Sequence, residues 1–145
     1  VVGVTARASG FTLPVTMEPS ASIAISGSPR PGATLTLALS DPGMPSALYA
    51  MHASLMNGPP IDLGHGDWLP LAADTLFFVS PSLTGVFENF YGALDARAAA
   101  TARVRIPPDA ALLGLTIHLA FASIDLSEPN AIGHVSAPAN FQISN

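Results

Sequence analysis

Four histidines, one tryptophan and a loop rich in carboxylates are the residues of this chain whose types suit chemistry. His52, His65, His118 and His134 fall at no metal-ligand spacing on one element, and there is no cysteine to complete a zinc set. His52 and His118 sit in apolar runs, on the face opposite the main inward residues, where a sheet can bring them together. The plainer reading is a half-buried or interface histidine with no chemical role. Asp62-Leu63-Gly64-His65-Gly66-Asp67, with Asp74 beyond it, supplies carboxylates and carbonyl oxygens of the kind that hold calcium. It matches no calcium-loop signature and reads as a solvated turn, so no metal and no cofactor is expected. Trp68 stands beside Asp67, with Asn57 upstream. An exposed indole there would stack on the apolar face of a sugar ring, with Asp67 and Asn57 taking hydroxyls. The burial tryptophan usually reaches would instead set Trp68 over one end of a core. Phe87, Phe90 and Tyr91 pose the same choice and read as core. The chain has no Gly-x-Ser-x-Gly, no lysine for a phosphate loop and no His-Glu-x-x-His. It is not expected to be an enzyme.

The elements that must position these residues are strands. In Ala33–Ser40, Leu35, Leu37 and Leu39 alternate with Thr34, Thr36 and Ser40. In Ala98–Ile106, Ala100, Ala102, Val104 and Ile106 alternate with Thr101, Arg103 and Arg105. Period-two alternation bounded by Gly, Pro and Asp marks half-buried antiparallel strands. Val1–Ala8 alternates weakly. Phe11–Met17 places Phe11, Leu13, Val15 and Met17 on one side, with Pro14 confining it to an edge or a break. Ser20–Ser26 turns Ala21, Ile23 and Ile25 inward, and Leu115–Asp125 does so with Leu115, Ile117, Leu119 and Phe121. Ala47–Leu55 is apolar on both faces, Tyr49, Met51 and Leu55 against Leu48 and Ala50, as in a central strand covered on both sides. Asn57–Asp74 reads as a long loop carrying Trp68, and Thr75–Ser80 as a short strand. Phe87–Leu94 is expected to pair with Ala98–Ile106 across Asp95-Ala96-Arg97. Pro107–Leu113 is the one helix candidate, stopped by Gly114. Ala131–Ser136 and Asn140–Ser144 close the chain. The fold class is therefore all-β: an antiparallel β-sandwich, immunoglobulin-like or jelly-roll-like, of about eight or nine strands with one short helical turn.

At 145 residues the chain has the length of one domain, 1–145, with 1–17 as an N-terminal extension or exchanged strand. A chain of this size buries roughly 70% of its unfolded surface and needs no disulfide. The lack of cysteine leaves the redox compartment open. Charged residues make up 10% of the chain, against about a quarter in an average domain. The five cations are all arginine and the net charge is −5, which argues against nucleic acid and against a polybasic membrane contact. Mean hydropathy is +0.45 and 49% of residues are hydrophobic. Yet the longest apolar stretch, Ala110–Ile124, is broken by Gly114, Thr116, His118 and Ser123 and falls short of the ~20 residues of a spanning helix. So little charge leaves apolar surface exposed, and large apolar patches mark contact sites. The opening at Val1 fits removal of an export signal or excision from a precursor.

The succession GSPRPGATLTLALSDPG, ALYAMHASL, a Gly/Pro loop, YGALDARAAATARVRIP and ALLGLTIHLAFASIDLSEPNAIGHVSAPANFQI resembles an uncharacterised β-sandwich module found near the C-termini of secreted bacterial proteins. The shared features are a hairpin at Gly92–Arg97 leading to a strand ending in Ile106-Pro107, the apolar turn Ala111–Leu115, the loop Asp125–Asn130 and the closing strand Asn140–Ile143. The resemblance covers residues 26–145. It implies export and a sandwich, and it carries over no active-site residue.

Together these readings lead to a secreted or cell-surface structural protein. It would associate with copies of itself, as an oligomer or a filament, or with a surface partner. Phe11, Leu13, Val15 and Met17 are the candidate assembly residues, adding a strand to a neighbouring subunit or folding back on their own sheet. The alternative is a carbohydrate-binding accessory module built on Trp68, Asp67 and Asn57.

Overall fold

The computed structural model describes residues 20–145, together with the backbone of two short paired strands, β1 (Arg7–Ala8) and β2 (Phe11–Thr12). Leu13, Val15 and Met17, and the side chain of Phe11, lie outside the described residues. The chain folds as an all-β sandwich of antiparallel sheets with one short helix. One sheet runs in the order β3 (Ser22–Ser26), β4 (Thr34–Ser40), β10 (Ala99–Arg105), β8 (Phe87–Glu88). The other runs β12 (Ile132–Val135), β11 (Thr116–Ile124), β5 (Leu48–Ser54), β9 (Tyr91–Ala93), with β13 (Ala139–Gln142) also paired to β11. No helix among the described residues is long and apolar enough to cross a membrane.

The alternation sets the register of the first sheet. Leu37 lies opposite Ile25 on one side and Ala102 on the other, and Leu35 lies opposite Val104. This face meets Tyr49, Met51, Ile117, Leu119, Phe121 and Phe141 of the second sheet in one core. Leu35, Leu37, Met51, Leu119 and Phe121 are fully buried. Thr34, Thr101, Arg103 and Arg105 point to solvent, and both of these arginines pair with Glu88.

The structure corrects several of the expectations. The stretch Asn57–Asp74 is not one long loop. It holds a hairpin of β6 (Ile61–Gly64) and β7 (Asp67–Leu69). Gly64, His65 and Gly66 all have positive φ, 88°, 52° and 83°, and three left-handed residues in succession close the turn tightly. Thr75–Val79 is a helix (α1) rather than a strand. Its β-branched and aromatic content favours a strand, but Asp74 caps it by accepting from Phe77 N at 2.9 Å. The expected hairpin of Phe87–Leu94 with Ala98–Ile106 is split between the sheets. β8 pairs with β10 while β9 crosses to pair with β5. The switch occurs at Asn89, with φ of 63°, whose side chain donates to Thr101 O and whose carbonyl accepts from the Tyr49 hydroxyl. Pro107–Leu113 contributes only a 3₁₀ turn, Ala110–Leu112, capped by Asp109 and ended at Gly114, φ 90°. Leu55 and Leu115 were expected inward and are exposed, because each lies just beyond its strand end, where the alternation no longer holds. Leu48, expected under cover, is 61% exposed: the outer face of β5 is covered only from His52 onward, by α1.

Candidate functional site

The candidate residues separate into two places on the outside of the second sheet. The first lies on the outer face of β5 and β9. Ala50 pairs with Tyr91, and His52 follows two residues along the same face. The His52 ring stacks on Phe77 of α1 at 4.3 Å and 19°. Its Nδ1 lies 2.7 Å from Phe77 O, and its Nε2 lies 3.0 Å from the Tyr91 hydroxyl. A carbonyl only accepts, so Nδ1–H donates and the tyrosine hydroxyl donates to Nε2. Burial lowers the His52 pKa, and the bond to Phe77 O opposes it more weakly. Tyr91, expected in the core with Phe87 and Phe90, is 57% exposed, whereas both phenylalanines are buried. The split follows from the sheet switch: Phe90 points between the sheets and Tyr91, one residue on, points out. Phe78 packs edge-on to Phe77 and is 66% exposed. His118 lies opposite Ser54, while Ala120 lies opposite His52, so the two histidines are diagonal neighbours and His52 takes other partners.

The second place is a groove of about 540 Å³ between the β6–β7 hairpin, the Pro42-Gly43 turn, β12 and Ser20-Ala21 ahead of β3. Trp68 lines it and is 53% exposed, so it does not cap the core as expected. The reason is register. Ile61, Leu63 and Leu69 turn toward Ala120 and Val135, and Trp68, between Asp67 and Leu69, faces away. Asn130 fixes the hairpin. Its Nδ2 donates to Leu63 O, Gly64 O and Asp67 Oδ2 at 3.2, 2.9 and 2.8 Å. Asp67 thus joins Trp68 at the groove, while Asn57 is exposed and not among the lining residues.

Sequence reasoning missed the other half of this groove. His134 Nδ1 lies 2.7 Å from Oδ1 of Asp41, a residue 93 positions away and fully buried. A carboxylate accepts, so Nδ1–H donates, and the ring's orientation is set with Nε2 as its remaining polar atom. The backbone of His134 is held by a bulge. The pairing of β11 with β12 shifts between Ala122 and Ile124, and Ser123 Oγ, buried there, accepts from His134 N at 2.9 Å. A Cβ on Gly43 would lie 2.8 Å from His134 Cε1, so only glycine lets the turn lie flush against the ring. Asp41-Pro42-Gly43 was legible as a turn. Its use as a seat for His134 was not.

The carboxylates of the proposed ion loop do not converge. Asp62 accepts from Gly64 N, Asp67 from Asn130, and Asp74 from Phe77 N and Leu55 N. Among the described residues no group of three or more His, Asp or Glu is arranged to hold a metal. At the opposite end, where β10 ends and β11 begins, Leu55, Leu76, Val86, Leu112, Leu115 and Ile143 border an apolar pocket of about 210 Å³. No protein-family model matches the chain, and no curated protein matches it.

Proposed function

We propose that this domain is a non-enzymatic, secreted structural protein that packs against copies of itself through the outer face of β5 and β9. One observation carries the reading: Tyr91 and Phe78 stand 57% and 66% exposed against the His52–Phe77 stack, and Leu48, four residues from His52 on the same face of β5, is 61% exposed. Exposed aromatic and aliphatic side chains clustered on a sheet face are characteristic of contact surfaces. Only 10% of the chain is charged, which keeps the overall charge opposing association low. The absence of a catalytic motif from the sequence supports the non-enzymatic part, and the resemblance to exported modules supports secretion.

Light scattering across a concentration series tests this. The wild-type chain is expected to form a defined oligomer or polymer, and Leu48→Glu with Tyr91→Glu to yield folded monomers. A wild-type chain that stays monomeric at millimolar concentration, or a variant that assembles as before, overturns the proposal.

A further inference from the structure

We propose that the groove beside Trp68 is a binding site for a neutral pyranose, separate from the assembly face and independent of it. The groove has a volume within the ordinary range of ligand sites, and Trp68 supplies a large aromatic face. The apolar face of a sugar ring stacks on such a surface, and its hydroxyls then point to the rim.

The rim offers acceptors. Asp67 Oδ2 takes the Asn130 amide, which holds the carboxylate in place with Oδ1 left to accept. His134 commits Nδ1 to Asp41 and keeps Nε2 for a ligand. Hydroxyl groups are the donors that match this set. No arginine is among the described residues that line the groove, and Asp67 and Asp41 lie at or beneath it, so an anionic sugar would meet like charge there. A quaternary ammonium asks for aromatic walls on several sides, and the described residues give the groove one.

A second observation separates this groove from an ordinary surface dent. Asp41 is fully buried, and its Oδ2 has no hydrogen-bond partner among the described residues. A half-satisfied buried carboxylate costs stability that an apolar residue would not. Its evident return is the fixed His134 ring. The hairpin, the bulge and the glycine contact add to that fixation, and ready-placed groups lose little freedom on binding.

Trp68 is the only tryptophan, so intrinsic fluorescence reports on this groove alone. The full chain is titrated with hexasaccharides of glucose, mannose, galactose and N-acetylglucosamine, and with oligogalacturonate as the anionic contrast. At least one neutral oligosaccharide is expected to give a saturable emission shift, and the uronate none. By calorimetry Trp68→Ala should weaken that binding at least about tenfold, with a near-wild-type melting temperature. His134→Ala leaves the buried Asp41 unpaired and so lowers the melting temperature; below that temperature it should weaken binding about threefold or more. No shift with any neutral oligosaccharide overturns the proposal, as does a shift with the uronate alone. So do undiminished binding by both variants and a Trp68→Ala chain that fails to fold.

Discussion

On its inner face β11 presents Ile117, Leu119 and Phe121 to a core shared by both sheets. On its outer face Ala120 lies beneath Leu69 and Leu71, with Ile61, Leu63, Phe77 and Val135 around them. The same strand is thus buried twice, by different means. The inner burial is broad, apolar and repeated along every long strand. The outer cover is small, and single polar side chains hold it down: Asn130 for the β6–β7 hairpin, Asp74 for α1, and Ser80, whose Oγ accepts from Ala53 N at 3.0 Å. Broad apolar burial supplies stability without asking for particular directions. Pinning by hydrogen bonds supplies direction with less energy. Each candidate surface joins one residue of the cover to one of the sheet beneath it: Phe78 of α1 with Tyr91 of β9, and Trp68 of β7 with His134 of β12. Both candidate surfaces therefore lie where cover meets sheet, outside the broad apolar core.

The largest effect expected from this division lies inside. Leu37→Ala and Ile117→Ala should each destabilise the domain by about 2–5 kcal/mol in urea unfolding, because each leaves a cavity between the sheets. Trp68→Ala, on the cover, should stay within about 0.5 kcal/mol of wild type, and Tyr91→Ala, which takes the donor from His52 Nε2, should cost about 1 kcal/mol. Core variants that cost less than about 0.5 kcal/mol would break the comparison at its stronger end and with it the assigned register.

The same division explains what the sequence made legible. Period-two alternation reports burial against one broad face, so Leu35, Leu37, Val104, Ile117, Leu119 and Phe121 were all readable as a single core, and all are buried. It does not report which sheet a strand joins. In the run from Phe87 to Leu94 the inward positions pass from Phe87 to Phe90, out of step with period two, and the chain changes sheets between them. Nor does it report the cover. Gly64-His65-Gly66 looks like a loop because left-handed turns and loops use the same residues. Thr75–Val79 looks like a strand because a one-and-a-half-turn helix depends on its Asp74 cap more than on its own composition. Trp68 and Asp67 were legible as a candidate pair because they adjoin in sequence. Asp41 and His134 were not, since their meeting depends on the docking of β12 against the end of β4.

A smaller effect tests the pinning itself. Asn130→Ala removes the donor to Leu63 O, Gly64 O and Asp67 Oδ2 while leaving the apolar contacts of the hairpin in place. The expected loss is about 1 kcal/mol, more if water does not replace the donor. Its distribution matters more than its size. Amide exchange should accelerate through β6 and β7 and stay unchanged in β4 and β10. Equal acceleration in both regions would show that cover and core open together, and the distinction between them would fall.

The smallest effect is one of pH, and it comes from His52 at the join of cover and sheet. Burial depresses its pKa below the ordinary 6.5, the bond from Nδ1 to Phe77 O offsetting only part of that. The neutral ring is already satisfied, donating to Phe77 O and accepting from the Tyr91 hydroxyl. A second proton would occupy the nitrogen that Tyr91 now addresses. The unfolded chain therefore binds a proton at higher pH than the folded one. Between the two values stability rises with pH, so this contribution is present above about pH 6.5 and declines as pH falls toward the folded value. His52→Gln cannot take up that proton. Thermal melts from about pH 8 to about pH 5 should show wild type losing more stability than the variant, with the remaining histidines contributing equally to both. The ring's own titration, followed by NMR, should fall below that of a histidine in the unfolded chain. Parallel melting curves, or a His52 that titrates at its ordinary value, would mean that α1 and Tyr91 leave the ring open to water, and that the cover is looser at this join than its hydrogen bonds imply.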